Sequence, residues 1–333
     1  MRPSSITATV DFECNGVQHG FLKLPHSHDF SAWGSIMIPV TVVKNGEGPT
    51  ALLSGANHGD EYEGPIALFE LANKLTPEEV SGRVIIVPAM NYPAFRAGKR
   101  TSPIDSGNLN RLFPGKPDGT VTEKIADYFH RFLLPLSDFV LDLHSGGRTL
   151  TFLPFAATSR STDEALQARG IAAMRAFNAP YSTLLMEIGG AGMYDESAEA
   201  MGKVFVTTEL GGGGSASAAT AAIAKRGVRN FLKHAGILDG EPELSATVEL
   251  DIPDDTCFVT AETSGLLEIC VDLGETVRSG DLVARVHDPE RTGSAPVDYL
   301  ATMDGLLVGR HFPGLVQIGD PIVMLAVPRE SSS

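Results

Sequence analysis

The chain of 333 residues contains only three cysteines, Cys14, Cys257 and Cys270, and it has no CxxC pair. This set is too sparse for a disulfide framework or a thiolate zinc site, and it favours the reducing cytoplasm. The sequence also lacks any apolar stretch near the roughly 18 to 20 residues that a membrane span requires, and its first residues lack the apolar core of a signal peptide. We therefore expect a cytoplasmic protein with no membrane partner.

Basic residues are scarce as well, since 26 Lys and Arg stand against 41 Asp and Glu and give a formal net charge of -15. An excess of negative charge disfavours binding to a phosphate backbone, so no nucleic-acid partner is expected. Hydrophobic residues make up 43% of the chain, which is ordinary for a globular protein with a sizeable core. The length suits one large domain with a smaller second one.

Strand-like and helix-like stretches alternate over the first 240 residues. Runs of apolar and β-branched residues predict strands over residues 36–43, 51–54, 83–89, 138–143 and 203–208. Apolar residues at helical spacing predict helices over residues 61–75, 121–134, 163–177 and 217–234. Such alternation predicts an α/β fold with helices on the faces of a sheet.

The remainder of the chain has short strands, regular turn signals and an internal repeat. Residues 264–286 can be aligned with residues 304–326, so that Gly265 matches Gly305. Two copies of one hairpin-like unit predict a pseudo-symmetric all-β module. The module resembles the barrel-sandwich fold of biotinyl and lipoyl carrier domains, but residues 291–304 contain no carrier lysine. We therefore expect a structural or oligomerising role for it, and a homo-oligomer.

Three segments place metal-type ligands at the ends of predicted strands, and they contain His58 with Glu61, His144, and Glu209. Ligands gather at the carboxyl ends of strands in α/β sheets. His58 and Glu61 stand three apart in a tight loop that enters a helix, so both can face one point, and His144 would complete the set. Two histidines and one carboxylate with an open fourth position are typical of catalytic zinc. The pattern predicts one Zn²⁺ per chain.

The order of four motifs carries a resemblance to a known family. HGDE begins at His58, LNR at Leu109, DLHSGG at Asp142 and TTELGGGG at Thr207. This set resembles the succinylglutamate desuccinylase and aspartoacylase family, a branch of the zinc carboxypeptidase superfamily, over roughly residues 30 to 235. The resemblance implies a zinc-carboxypeptidase-like mixed sheet with flanking helices. It also implies a catalytic domain over residues 1–240, with a β extension at 1–35, followed by the barrel-sandwich domain at 241–330.

The resemblance also implies a role for each site residue. It assigns the zinc to His58, Glu61 and His144, general base and acid catalysis to Glu209, a substrate carboxylate to Asn110 and Arg111, and polarisation of the scissile carbonyl to Arg100. Elementary chemistry agrees, because a carboxylate can take a proton from an attacking water and a planar guanidinium can bind a carboxylate with two hydrogen bonds. Solvated loop charge is the alternative for both arginines, and Lys99 is an alternative to Arg100.

Some positions depart from the family pattern or leave alternatives open. Asn108 stands where the family often has an acidic residue, and Asp105 is a candidate to compensate. Asp142 either caps the chain locally or supports a metal ligand. An assisting tyrosine cannot be chosen from sequence, and core or surface packing is the alternative for each candidate: Tyr62, Tyr92, Tyr181, Tyr194 and Tyr299. Residues 211–214 are four glycines without a following Lys-Ser or Lys-Thr, so close backbone approach is expected there instead of a nucleotide loop.

These features predict a zinc-dependent amidohydrolase that acts on a small N-acyl amino acid. Within the family, the chain is most similar to deacetylases of ectoine breakdown, which act on N-alpha-acetyl-L-2,4-diaminobutyrate. The ammonium of such a substrate calls for an acidic group, for which Glu63, Asp195 and Glu196 are candidates. The alternatives are a deacylase for another acyl amino acid, a carboxypeptidase-like peptidase, and a non-catalytic binding module.

Overall fold

A computed structural model describes residues 3–185 and 191–329 of the chain. The strands are β1 Thr7–Ala8, β2 Gly16–Pro25, β3 Ser35–Asn45, β4 Thr50–Gly55, β5 Gly82–Val87, β6 Phe139–His144, β7 Leu150–Phe152, β8 Phe155–Ser159, β9 Tyr181–Leu185, β10 Val204–Glu209, β11 Val248–Asp251, β12 Phe258–Thr260, β13 Gly265–Ile269, β14 Thr276–Val277, β15 Leu282–His287, β16 Val297–Leu300, β17 Gly305–His311, β18 Leu315–Val316 and β19 Pro321–Pro328.

The α-helices are α1 Glu63–Lys74, α2 Tyr92–Ala97, α3 Val121–Tyr128, α4 Glu164–Phe177, α5 Tyr194–Glu199 and α6 Ala218–His234. Short 3-10 helices lie at Pro77–Glu79, Leu109–Arg111, Leu134–Leu136 and Asp255–Cys257, and a π-helix lies at Phe129–Leu133. Among the helices in the described part of the chain, none has the length and apolar composition needed to cross a bilayer.

The central sheet is mixed, as predicted. Its middle strands β5, β4, β6 and β10 run parallel, whereas β3 and β8 pair antiparallel at either side. Every residue of β4 and β5 is buried, which explains why these strands are continuous apolar runs. The parallel register sets Glu209 opposite His144, so the last residues of β10 and β6 are neighbours.

Helices cover both faces of this sheet and form two cores. One core packs α1, α4 and α6 on the first face, with Phe177 and Phe231 fully buried. The second core packs α3 and the following π-helix with the N-terminal strands on the other face, around Phe129 and Leu22. This arrangement confirms the α/β fold with a large central sheet and flanking helices.

Two helix boundaries differ from the sequence prediction for identifiable reasons. The helix predicted to begin at Glu61 begins at Glu63, so Glu61 remains in the preceding loop and its side chain turns into the site. The helix predicted through Leu134 has α-geometry only as far as Tyr128 and continues as a π-helix, which has wider turns, over Phe129–Leu133. A hydrophobic pattern does not distinguish these two helical geometries.

The C-terminal strands follow the predicted repeat but continue the large sheet. In both copies a first strand is followed by a two-residue strand and a long strand, and each two-residue strand pairs with the first strand of the other copy. However, β19 pairs with β11, and β17 pairs with β7, so hydrogen bonding runs unbroken from the catalytic region into this module. A separate barrel-sandwich domain is therefore not confirmed.

The contact between β17 and β7 generates a prediction about Gly309. A Cβ added at Gly309 would lie 2.6 Å from the Phe152 ring, which is well inside van der Waals contact. We expect Gly309→Ala to destabilise the fold by about 1–3 kcal/mol through overpacking. Urea unfolding measures the change, with Gly314→Ala as the control because nothing lies within 4 Å of its added Cβ. Equal stability of the two variants would contradict the prediction.

Candidate active site

A tight loop after β4 brings His58 and Glu61 to the carboxyl edge of the sheet. Ala56 adopts a positive φ of 50°, which turns the chain sharply at the strand end. Gly59 allows the loop to lie against α2, since a Cβ there would sit 2.0 Å from the Ala94 carbonyl carbon. His58 and Glu61 are consequently buried, at 4% and 2% exposure.

The three predicted metal ligands meet at one point. One ligand atom from each of His58, Glu61 and His144 lies within 4.8 Å of the other two. Glu61 Oε1 is 2.7 Å from His58 Nδ1, and Glu61 Oε2 is 2.9 Å from His144 Nδ1. Although burial opposes it, the two imidazoles lower the pKa of Glu61 well below its ordinary value. An ionised carboxylate and two imidazole nitrogens in a buried cluster suit zinc, which takes nitrogen and oxygen donors.

The outer nitrogen of each histidine is held by a polar side chain. His144 Nε2 donates to Asp142 Oδ2 at 2.8 Å, and Asp142 also accepts from Asn57 at 2.9 Å and Ser54 at 2.8 Å. Asp142 is therefore the supporting residue of the two roles left open by the sequence. His58 Nε2 donates to Asn108 Oδ1 at 3.2 Å. In both rings the hydrogen bond leaves Nδ1 directed at the cluster, as a metal ligand requires.

Asn108 is the functional residue whose role sequence reasoning missed. The sequence identifies this position only as a departure from the family pattern and offers Asp105 as a candidate to compensate. Asp105 instead accepts bonds from the Thr122 backbone N at 2.7 Å and from Gly107 at 3.1 Å, so it fixes the loop. The amide oxygen of Asn108 accepts from His58 as a carboxylate would, without adding negative charge. The only sequence signal was proximity to the Asn110-Arg111 pair.

Glu209 is the last residue of β10, where it lies beside His144 and is half-buried. Its Oε2 is a buried oxygen with no hydrogen-bond partner among the described residues. Burial, reinforced by the charge of Glu61, raises the pKa of Glu209 to about 8. A carboxyl group poised near neutral pH can both accept and return a proton, which is the property required of a general base and acid.

The predicted substrate-binding residues reach the same cavity from the loop at 91–119. Arg111 and Arg100 line the cavity, whereas Lys99 does not. Arg100 Nη1 lies 3.8 Å from Glu61 Oε1. Asn110 Oδ1 accepts from the Tyr194 backbone N at 3.0 Å, which orients its amide nitrogen as a donor. The structure thus brings all seven predicted site residues to one place.

The cavity has a volume of about 230 Å³ and combines polar and apolar walls. Its apolar lining includes Phe152, Phe155 and Met193, and its polar lining includes His144 and Glu209. This size suits a small molecule with a charged end and a short apolar group. The expected close backbone approach among the four glycines is also observed, since a Cβ at residue 212 would lie 2.2 Å from a backbone oxygen.

The open choices of tyrosine and acidic residue now have structural answers. Among the described residues that line the cavity there is no tyrosine. Tyr194 is fully buried against Phe113, with ring centroids 4.7 Å apart, so it packs in the core. Of the three acidic candidates only Asp195 lines the cavity. Glu63 accepts from Thr220, and Glu196 accepts from the backbone of its own helix.

A family model for the succinylglutamate desuccinylase/aspartoacylase catalytic domain matches residues 47–235. The chain belongs to this family. It is 57% identical over 332 residues to the N-alpha-acetyl-L-2,4-diaminobutyric acid deacetylase of Halomonas elongata, covering 99% of this chain and 97% of that one. The family predicted from the motifs, and with it a deacylase that hydrolyses amide bonds, is confirmed.

Solved structures give the same picture of the fold. The product-bound ectoine utilization protein EutE of Ruegeria pomeroyi is 63% identical, with a TM-score of 0.97, covering 98% of this chain and 100% of that one. A succinylglutamate desuccinylase from Silicibacter sp. TM1040 is 60% identical, also with a TM-score of 0.97, over 99% of this chain and 100% of the other.

The support that Asp142 gives to His144 generates a prediction about metal binding. The carboxylate of Asp142 accepts hydrogen bonds from Ser54, Asn57 and His144. Asp142→Asn replaces one carboxylate oxygen with an NH₂ group, which cannot accept a hydrogen bond from any of these donors. We expect zinc affinity to fall by about 10- to 100-fold, as for other residues that hold metal-binding histidines. Competition with a chromogenic chelator measures the affinity, with exposed Asp239→Asn as the control. Wild-type affinity in the Asp142 variant would refute the role.

A second prediction concerns the loop that carries Asn110 and Arg111. Hydrogen bonds from Thr122 and Gly107 outweigh the opposing effect of burial and lower the pKa of Asp105. The ionised form therefore stabilises the fold above the ordinary carboxyl pKa, and this contribution disappears as pH falls through the lowered value. Asp105→Asn should reduce stability by about 1 kcal/mol from pH 7 to pH 5, with a difference that narrows only below about pH 4.

Denaturant unfolding of wild type and Asp105→Asn across that pH range provides the measurement. Asp118→Asn on the same loop segment serves as a carboxylate control. A stability difference that grew toward acid pH would show that the Asp105 carboxylate acts in the opposite sense.

Proposed function

We propose that this chain removes the acetyl group from N-alpha-acetyl-L-2,4-diaminobutyrate, releasing acetate and the free diamino acid, as a step of ectoine breakdown. One observation supports this proposal above all. A cluster of metal-type ligands, the carboxyl group of Glu209 and the guanidinium of Arg111 lie together at one small cavity. The choice of substrate follows the name of the Halomonas relative, because the similarity extends over nearly the whole of both chains.

We also propose the site roles predicted from the sequence. His58, Glu61 and His144 hold a single zinc ion, which when bound supplies a Lewis acid and lowers the pKa of water. Glu209 removes a proton from the attacking water and returns it to the amide nitrogen as the carbon–nitrogen bond breaks. One water is consumed, and one acid and one amine are formed.

The arginines divide the remaining work. Arg100 donates to the carbonyl oxygen as negative charge develops on it, which is the role of an oxyanion-stabilising group. Arg111 and Asn110 bind the α-carboxylate of the substrate, since a guanidinium matches a carboxylate with two parallel hydrogen bonds. Arg111 is well placed for this role because it lines the cavity and its side chain is exposed, so its guanidinium is accessible to a substrate carboxylate.

The division into a catalytic domain at 1–240 and a β domain at 241–330 remains our proposal. One hydrophobic cluster supports it, because all its members lie between Val259 and Leu325. The crossed pairing of the repeat supports a barrel-sandwich form for this module. A second, smaller cluster joins it to the catalytic region through Leu153 and Tyr181. Location in the cytoplasm and assembly as a homo-oligomer also remain predictions.

Glu209→Gln tests the proposed mechanism and separates it from a non-catalytic binding module. The variant keeps the size of the side chain but cannot take a proton, so we expect kcat to fall by about 100- to 10,000-fold while zinc content stays unchanged. Amine release is measured with the acetyl-diaminobutyrate substrate, N-acetylaspartate, N-succinylglutamate and a dipeptide. Glu196→Gln, whose side chain does not line the cavity, is the control.

The substrate panel also separates the competing activities. Release from another acyl amino acid alone would move the assignment to that deacylase, and cleavage of the dipeptide alone would move it to a peptidase. Full turnover by zinc-loaded Glu209→Gln would contradict the catalytic role.

A further inference from the structure

Asp195 is a buried carboxylate that faces the proposed substrate cavity. Its side chain is part of the cavity wall, yet the residue is only 9% exposed. A neutral hydroxyl, Ser159 Oγ, donates a hydrogen bond to Asp195 Oδ2 at 3.0 Å. Within residues 3–185 and 191–329, no Lys, Arg or His nitrogen lies within 4.0 Å of this carboxylate. Arg111 attracts this carboxylate only from beyond ion-pair distance. A buried carboxylate without a close ion pair is costly, so a cationic ligand in direct contact would stabilise it.

The position of Asp195 is fixed relative to Asn110 and Arg111, the residues proposed to bind the substrate carboxylate. It lies in the first turn of α5, next to Tyr194, whose ring is anchored in the core against Phe113 and Phe205. The Tyr194 backbone N donates to Asn110 Oδ1, so the helix that carries Asp195 is joined directly to the loop that carries Arg111. One cationic and one anionic side chain therefore line the same cavity from two segments that are joined to each other.

Resting on the proposed function, we propose that Asp195 binds the side-chain ammonium of the substrate and selects cationic over neutral or acidic N-acyl amino acids. Arg111 takes the α-carboxylate, and Asp195 takes the ammonium two methylene groups away from the α-carbon. An acidic side chain would place a second carboxylate against Asp195, and a neutral one would leave Asp195 unpaired. Both cases cost binding energy relative to the cationic substrate.

The other acidic side chains near this helix do not meet the same requirements. Glu196 is exposed and accepts from the backbone N of residues 192 and 193, which caps its own helix. Glu199 is partly buried one helical turn beyond Asp195 and does not line the cavity. Glu63 does not line the cavity, and its carboxylate accepts a hydrogen bond from Thr220. Of Asp195 and these three residues, only Asp195 combines burial with access to the cavity.

The test compares three substrates of matched length with wild type and Asp195→Asn. The cationic substrate is acetyl-diaminobutyrate, N-acetyl-L-norvaline replaces its ammonium with a methyl group, and N-acetyl-L-glutamate replaces it with a carboxylate. We expect wild type to have a higher kcat/KM for acetyl-diaminobutyrate than for the other two substrates. Asp195→Asn should reduce the ratio of kcat/KM for acetyl-diaminobutyrate to kcat/KM for N-acetyl-L-norvaline by about 10- to 100-fold. Asp195→Asn should still hydrolyse N-acetyl-L-norvaline, which also shows that the variant is folded.

Glu199→Gln is the matched control, because it removes one negative charge from the same helix without touching the cavity. It should keep the wild-type ratio. The inference is overturned if Asp195→Asn lowers kcat/KM equally for all three substrates, or if Glu199→Gln changes the ratio as much as Asp195→Asn does.

A binding measurement on the wild type keeps the inference testable without turnover. Calorimetry should show that free L-2,4-diaminobutyrate binds at least about 10-fold more tightly than L-norvaline, which has the same shape without the charge. Equal affinity would overturn the role of Asp195 even if the deacetylase activity is present. Tight, Asp195-dependent binding without hydrolysis of any acyl substrate would instead contradict the proposed function alone.

Discussion

The site depends on one buried carboxylate that faces two imidazoles. Glu61 is ionised at 2% exposure, and its two oxygens lie 2.7 and 2.9 Å from His58 and His144. Such a charge is tolerated in the interior only when positive or polarisable partners surround it. The turn at Ala56 positions His58 beside this carboxylate, and the end of β6 positions His144 beside it.

The second layer of the site divides into a charged half and a neutral half. Asp142 supports His144 with a carboxylate, whereas Asn108 supports His58 with an amide. A carboxylate partner increases the basicity of the ring it holds more than an amide does, so the two histidines are not equivalent donors. The amide also limits the negative charge around a cluster that already contains Glu61 and Glu209.

The cavity wall continues this distribution of charge toward the substrate. Arg111 and Asp195 both line the cavity, and the hydrogen bond between Asn110 and the start of α5 joins the segments that carry them. Opposite charges at a fixed spacing match a zwitterionic ligand better than either a dianion or a neutral molecule. The C-terminal module contributes to the same cavity indirectly, because β17 pairs with β7, the strand that carries the lining residue Phe152.

The sequence by itself determined the α/β architecture, the repeat and the set of polar residues at the candidate site, because each depends on local pattern. Buried parallel strands must be apolar, and polar residues at their ends, such as His144 and Glu209, stand out from that background. The role of Asn108, the choice of Asp195 over Glu63 and the continuity of the sheet into the C-terminal module were decided only by the tertiary structure. Each depends on contacts between segments far apart in the chain, where spacing along the sequence carries no information about distance.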